Sequence, residues 1–260
     1  MTEPSVADPA EHRQSAYRIG FDWGMAGALA LTTDAGPGDV AVVVDVLSFT
    51  TTLSVAVEAG MHVYPYPWAS ADAPAYADER GAVLARGRRA ALEDGSVSLS
   101  PASFDGVAGI DRLVLPSPNG SAIAFALADG GATVVGACLR NASAVGRWLA
   151  AATGRVRVVA SGERWPDGQL RPAVEDLWGA GAVLAGLDLS EASPEARAAV
   201  AAYDVVRHDL GPELAGSASG RELAAAGFGR DLEIATALDV ARVVPVLSGE
   251  SFADRGTQDG

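Results

Sequence analysis

Four apolar, β-branched runs in this chain each stop at a short polar junction, and a helical pattern follows each one: 40–46, 112–115, 132–137 and 155–160. Strands that alternate with helices in this way build a mainly parallel sheet. In open sheets of that kind, ligands bind beyond the carboxyl ends of the strands. The polar residues at the junctions are Asp45 with Ser48 to Thr52, Ser117 to Ser121, Asn141, and Ser161 to Glu163. All of them are therefore expected on one edge, sharing one site.

The chain between the runs can be read the same way. Helices are expected over 50–59, 121–128, 142–152, 174–187, 194–206, 219–226 and 231–238, with short strands at 61–66 and 240–247. The stretch 68–104 is long for a loop and is expected to hold a helix and a small hairpin. It carries the basic cluster Arg80, Arg86, Arg88 and Arg89. Residues 1–15 and 250–260 are polar and expected to be disordered. No linker divides the chain, so 16–249 reads as a single domain.

Charge restricts the partners. With 19 basic against 33 acidic residues the net charge is −14, which excludes a general affinity for nucleic acid, because neutralising phosphates needs a basic surface. A small anionic substrate remains compatible, since local groups hold it. Cys138 is the one cysteine, so neither an intrachain disulfide nor a thiolate metal cluster is available. No apolar run approaches the ~20 residues that span a bilayer, and the start lacks a secretory pattern. A cytoplasmic location is the expectation, with no membrane partner; a homo-oligomer is compatible with the sequence.

The chemistry is read from acids and turns. No GxxxxGK[ST] loop, HExxH or CxxC pair occurs. Gly179-Ala180-Gly181 falls inside a helical pattern and reads as a close packing face. Asp45 ends a strand of alanine and valine, where a carboxylate is costly to bury unless paired or bound to a metal; a helix cap or an ion pair with arginine are the alternatives. Glu163 follows another strand, and Glu175-Asp176 opens a helix, where the dipole favours anions. Together these four acids would make an oxygen-only site suited to Mg²⁺. Ser48 to Thr52, Pro118-Asn119-Gly120-Ser121 and Arg140-Asn141-Ala142-Ser143 are three turns of the type that cradle anions, or that merely cap and turn. Arg171 and Arg164 are placed to pair with the acids or to bind substrate.

Several stretches resemble the 2-phosphosulfolactate phosphatase family: Val44-Asp45-Val46-Leu47-Ser48-Phe49-Thr50-Thr51, Pro118-Asn119-Gly120-Ser121, Asn141-Ala142-Ser143-Ala144-Val145, Gly162-Glu163 with 171–176 and Gly179-Ala180-Gly181, and Ser219-Gly220-Arg221-Glu222-Leu223 leading to Val244-Pro245-Val246. They occur in family order. The resemblance implies a three-layer α/β/α fold with a mainly parallel or mixed sheet. It also implies a Mg²⁺-dependent phosphomonoesterase that converts 2-phospho-3-sulfolactate to 3-sulfolactate and phosphate, a step towards coenzyme M. By matching position, Asp45, Glu163, Glu175 and Asp176 would be the acidic site that holds Mg²⁺, with Asp45, Glu163 and Asp176 catalytic. Thr50, Thr51, Asn119, Gly120, Ser121, Asn141 and Arg171 would bind substrate. The family usually has arginine at the position of Ser48, and its Gly- and Asn-containing middle motif is here Leu99-Ser100-Pro101-Ala102-Ser103-Phe104. The Arg80 to Arg89 cluster is expected to restore the missing charge. The alternative is a binding module of the same fold that holds a phosphorylated or sulfonated metabolite without turning it over.

Overall fold

The structure is a computed structural model that describes residues 10–68 and 70–256. Valine and alanine make β2 (Val40–Val44) a strand buried on both faces, as a central strand covered by helices must be. On one side it lies parallel to β7 (Val156–Ala160), which lies parallel to β1 (Ile19–Trp23); on the other side it lies parallel to β6 (Thr133–Ala137). A second parallel block contains β3 (His62–Pro67), β5 (Arg112–Ser117) and β4 (Val83–Leu84). The hairpin of β10 (Pro245–Ser248) and β11 (Ser251–Asp254) joins the blocks through two antiparallel pairs, Val135 with Val246 and Val63 with Phe252. Among the described residues the result is one nine-stranded mixed sheet, ordered β1-β7-β2-β6-β10-β11-β3-β5-β4.

Formally the two blocks run in opposite senses, yet the ends of β2 and β5 meet: Gly120 N–H, just past β5, donates to Asp45, just past β2, at 2.8 Å. Strand twist reconciles the two facts. Neighbouring strands rotate by roughly 20–25°, so the five steps from β2 to β5 accumulate somewhat more than a right angle.

Helices cover both faces. One core gathers Val42, Val44, Val158 and Val145 against α6 (Ala142–Ala150), α7 (Val174–Leu184) and α8 (Pro194–Val206). The other gathers Val43, Leu53, Leu113 and Ile123 beneath α1 (Gly24–Thr32), α2 (Phe49–Glu58) and α5 (Gly120–Leu127). The glycines of α7 behave as the sequence suggests. A Cβ on Gly179 would lie 2.7 Å from the Val46 side chain, and one on Gly181 2.2 Å from the Ala199 carbonyl on α8.

Several expectations change. The segment 250–260 is not a disordered tail over its first part, since 251–254 is a sheet strand. Phe252 is fully buried and packs edge-on against Phe49 at 6.4 Å. A single aromatic in a polar run left little periodic signal. At the other end Ala10–Arg13 forms a 3-10 turn; the expectation for 1–9 falls outside the described residues, as does that for 257–260. The stretch 68–104 holds two helices, α3 (Ala73–Glu79) and α4 (Arg88–Asp94), and β4 joins the main sheet instead of forming a hairpin. A hairpin does occur at β8 (Glu163–Arg164) and β9 (Leu170–Arg171). The last strand is shorter than expected, beginning at Pro245. Helices α9 (Leu210–Gly216), α10 (Ala218–Ala225) and α11 (Gly229–Thr236) complete the chain. No helix among the described residues is long and apolar enough to cross a membrane.

Candidate active site

Asp45 is held by its surroundings on both oxygens. Oδ1 accepts from Phe49 N–H at 3.1 Å and Oδ2 from Gly120 N–H at 2.8 Å. It therefore does cap α2, one of the readings open from sequence, while still lining a cavity of about 480 Å³. Gly120 is required by close approach, because a Cβ there would stand 2.7 Å from Asp45 Oδ2 and 2.8 Å from the Phe49 ring. Gly120→Ala is expected to destabilise the protein by roughly 1–3 kcal/mol, as overpacking does. An unchanged melting temperature would contradict this packing.

Asp176 ties two loops together. Its Oδ1 accepts from Val46 N–H at 2.7 Å and its Oδ2 from Gly162 N–H at 2.8 Å. The loops that carry Asp45 and Glu163 are thus fixed to one carboxylate on α7. Glu163 stands on β8 directly across from Arg171 on β9. Its Oε2 accepts from Asn119 Nδ2 at 2.9 Å, and Asn119 Oδ1 accepts from Arg164 Nε at 3.3 Å. Glu175 is 2% exposed and accepts no hydrogen bond from the described residues. Ser161 Oγ is buried with no partner among the described residues.

The electrostatics of this group are one-sided. Burial, then the charge of Asp45, pushes the Glu163 carboxyl up to about 7, against the Asn119 hydrogen bond and the Arg171 charge. Burial raises Asp45 despite its two backbone donors and the nearby Arg88 charge, with Glu175 adding to the rise. Burial, Asp45 and Glu175 together raise Asp176 well above the usual carboxylate range. The four acids expected from sequence are therefore neighbours, but they do not form a finished cage. No three His, Cys, Asp or Glu side chains among the described residues converge on one ion position.

The three turns divide. Thr50 Oγ1 donates to the Asp45 carbonyl at 2.7 Å and Thr51 Oγ1 to the Val46 carbonyl at 2.7 Å, so both hydroxyls are spent on the backbone. The Thr50 and Gly120 N–H groups are also spent, both on Asp45. Ser121 Oγ bridges the carbonyls of Leu115 and Tyr66. Asn141 is fully buried, accepting from Cys138 N–H at 2.9 Å and donating to the Val243 carbonyl at 3.2 Å. The polar side-chain atoms of Thr50, Thr51, Ser121 and Asn141, expected to contact a substrate, are engaged in shaping the turns. Asn119 remains at the cavity wall. Arg171 lies beside Glu163 but donates to Ser219 Oγ at 3.1 Å.

The cavity wall also includes Leu47, which the sequence did not single out, and groups from outside the expected set of site residues. Leu47 and Ser48 line the cavity, and neither backbone N–H finds an acceptor among the described residues. Of the basic cluster, Arg88 and Arg89 line the cavity, while Arg80 pairs with Glu250 and Arg86 with Asp94. Trp165-Pro166-Asp167-Gly168 was the available signal for the hairpin that carries Glu163, a Pro-Asp-Gly turn between two short strands. A larger hollow of about 850 Å³ lies between α1 and α8 and contains none of the four acids.

Comparison with known proteins places the chain in a family. The profile of the family described as 2-phosphosulpholactate phosphatase matches residues 29–250. A protein of Deinococcus radiodurans named "Probable 2-phosphosulfolactate phosphatase" is 32% identical over 228 residues, covering 84% of this chain and 91% of that protein. The family match runs from within α1 to β10 and includes every acid of the cluster, and on it the chain belongs to the 2-phosphosulfolactate phosphatase family.

Proposed function

We propose that this chain is a Mg²⁺-dependent phosphatase that hydrolyses a small acidic phosphomonoester, 2-phosphosulfolactate or a relative, to an alcohol and inorganic phosphate. The observation that carries the reading is a group of neighbouring carboxylates, with Asp45 and Glu163 on the cavity wall, in which Asp45, Glu163 and Asp176 are driven towards protonation by burial and mutual repulsion. A pure anion binder gains nothing from carboxylates beside its ligand. A cation among them changes the sign of the site.

The donor set fits Mg²⁺. It is oxygen only: Glu175 is 2% exposed, and the buried Ser161 hydroxyl has no partner among the described residues. Mg²⁺ is commonly held by one or two carboxylates and keeps several waters, so the absence of a three-acid cage among the described residues is compatible with it. Asp45 and Glu175 would hold the ion. When bound, it supplies neutralisation of phosphate charge and polarisation of a phosphoryl oxygen.

The chain's own residues do the rest. The Leu47 and Ser48 N–H groups receive phosphate oxygens at the mouth of α2, where donors are fixed before the reaction begins. Glu163 takes the proton of the attacking water; Asn119 fixes its Oε2 and leaves Oε1 to the water. Asp45, with each oxygen already accepting a backbone N–H, is assigned as a ligand rather than as a nucleophile. Asp176 positions both loops and touches no reacting atom. Stripping the protein with EDTA is expected to lower phosphate release by about a hundredfold or more, with recovery on adding Mg²⁺. Turnover indifferent to EDTA would overturn the metal assignment.

A further inference from the structure

The cavity has a second chemical character away from its acids. Arg88, the first residue of α4, donates from Nη2 to Ser48 Oγ at 2.7 Å, and its guanidinium lies 5.5 Å from the Phe228 ring centre. Its Nε stands 3.5 Å from Oδ2 of Asp231 on α11. Asp231 is 1% exposed, and its Oδ1 accepts from Ser100 Oγ at 2.5 Å. Its Oδ2 and Arg88 Nε are both buried, and neither makes a directed hydrogen bond. A closed structural ion pair would be expected to engage as a bidentate fork. Here one edge of the guanidinium is steered by Asp231 and Ser48, and Nη1 has no acceptor among the described residues.

We propose that Arg88 binds the sulfonate of the substrate, and that Asp231 is the positioning residue that aims it into the cavity. Asp45, Asn119 and Glu163 share that cavity, so the guanidinium and the phosphate site face one small volume. An arginine fork recognises a sulfonate or carboxylate with geometric selectivity. Arg89 also lines the cavity but is exposed, so solvent screens its charge. The proposal rests on the phosphatase reading for the identity of the substrate, and not for the anion site itself.

Binding without turnover separates the two. Calorimetric titration of the Mg²⁺-loaded protein with 3-sulfolactate and with lactate compares probes that differ only in the sulfonate. Wild type is expected to prefer 3-sulfolactate by about tenfold or more. Arg88→Ala should erase that preference, Arg88→Lys should keep part of it, and Arg89→Ala should leave it intact. Asp231→Asn should reduce it about threefold to tenfold while leaving the lactate affinity unchanged, which a merely structural role would not do. Ser48→Ala, which leaves the buried carboxylate intact, should reduce it about twofold. No preference in wild type, or full preference in Arg88→Ala, overturns the proposal, and an unaltered Asp231→Asn overturns the positioning role. A wild type that prefers 3-sulfolactate yet releases no phosphate from its phosphate ester contradicts the phosphatase reading and leaves the Arg88 assignment standing.

Discussion

Asp45→Asn and Glu175→Gln are each expected to lower kcat by about a thousandfold or more, with folding retained. Both changes keep side-chain volume and remove one negative charge from the cluster. In Asp45→Asn the carboxamide presents one acceptor where Phe49 N–H and Gly120 N–H need two, so one backbone donor is also left without its partner. That loss costs about 1–3 kcal/mol of stability, which the melting temperature will register. Glu175→Gln has no such side effect, because Glu175 accepts no hydrogen bond among the described residues; its melting temperature should be level with wild type or higher. A Glu175→Gln protein with wild-type kcat would remove Glu175 from the metal site.

Without a divalent cation the protein should lose stability as pH rises from about 5 to about 8. The sign follows from Glu163, whose carboxyl rises from 4.5 to about 7 on folding. Below 4.5 folded and unfolded chains both carry the proton. Between 4.5 and 7 only the folded chain keeps it, and above 7 the folded chain must lose it into a buried, repulsive site. A rise of that size corresponds to about 3 kcal/mol, or roughly 6–10 °C in melting temperature for a domain of this length. Asp45 and Asp176 shift in the same direction and add to the loss. Asp39, which Arg155 stabilises as the charged form, works in the opposite sense only near and below pH 4 and does not enter this window. Mg²⁺ should restore the melting temperature at pH 8, and Glu163→Gln should remove its own share of the pH dependence and leave the part that Asp45 and Asp176 contribute. A metal-free protein more stable at pH 8 than at pH 5 would show that the acids are not under mutual strain.

The β2 and β7 strands were legible because each combines β-branched residues with a sharp polar stop, and α7 because its acids open an apolar helical repeat. Asp45, Glu163, Glu175 and Asp176 could be named for the same reason: a carboxylate at the end of an apolar run has few inexpensive places to go. What sequence could not give was which atoms stay free. Thr50, Thr51, Ser121 and Asn141 have the right chemistry for an anion cradle, but buried backbone carbonyls compete for the same donors and win. The sheet sense was also out of reach, because the two parallel blocks are joined by a hairpin whose second strand rests on one aromatic, Phe252. The Arg88–Asp231 pair joins distant helices and left no local pattern.

The most direct measurement is inorganic phosphate release from 2-phosphosulfolactate by the purified protein in Mg²⁺, with the Asp45→Asn protein prepared in parallel. Stoichiometric phosphate from wild type and about a thousandfold less from the variant is the predicted result. No phosphate from folded, Mg²⁺-loaded wild type, or equal release from both proteins, would contradict a phosphatase built on this acidic site.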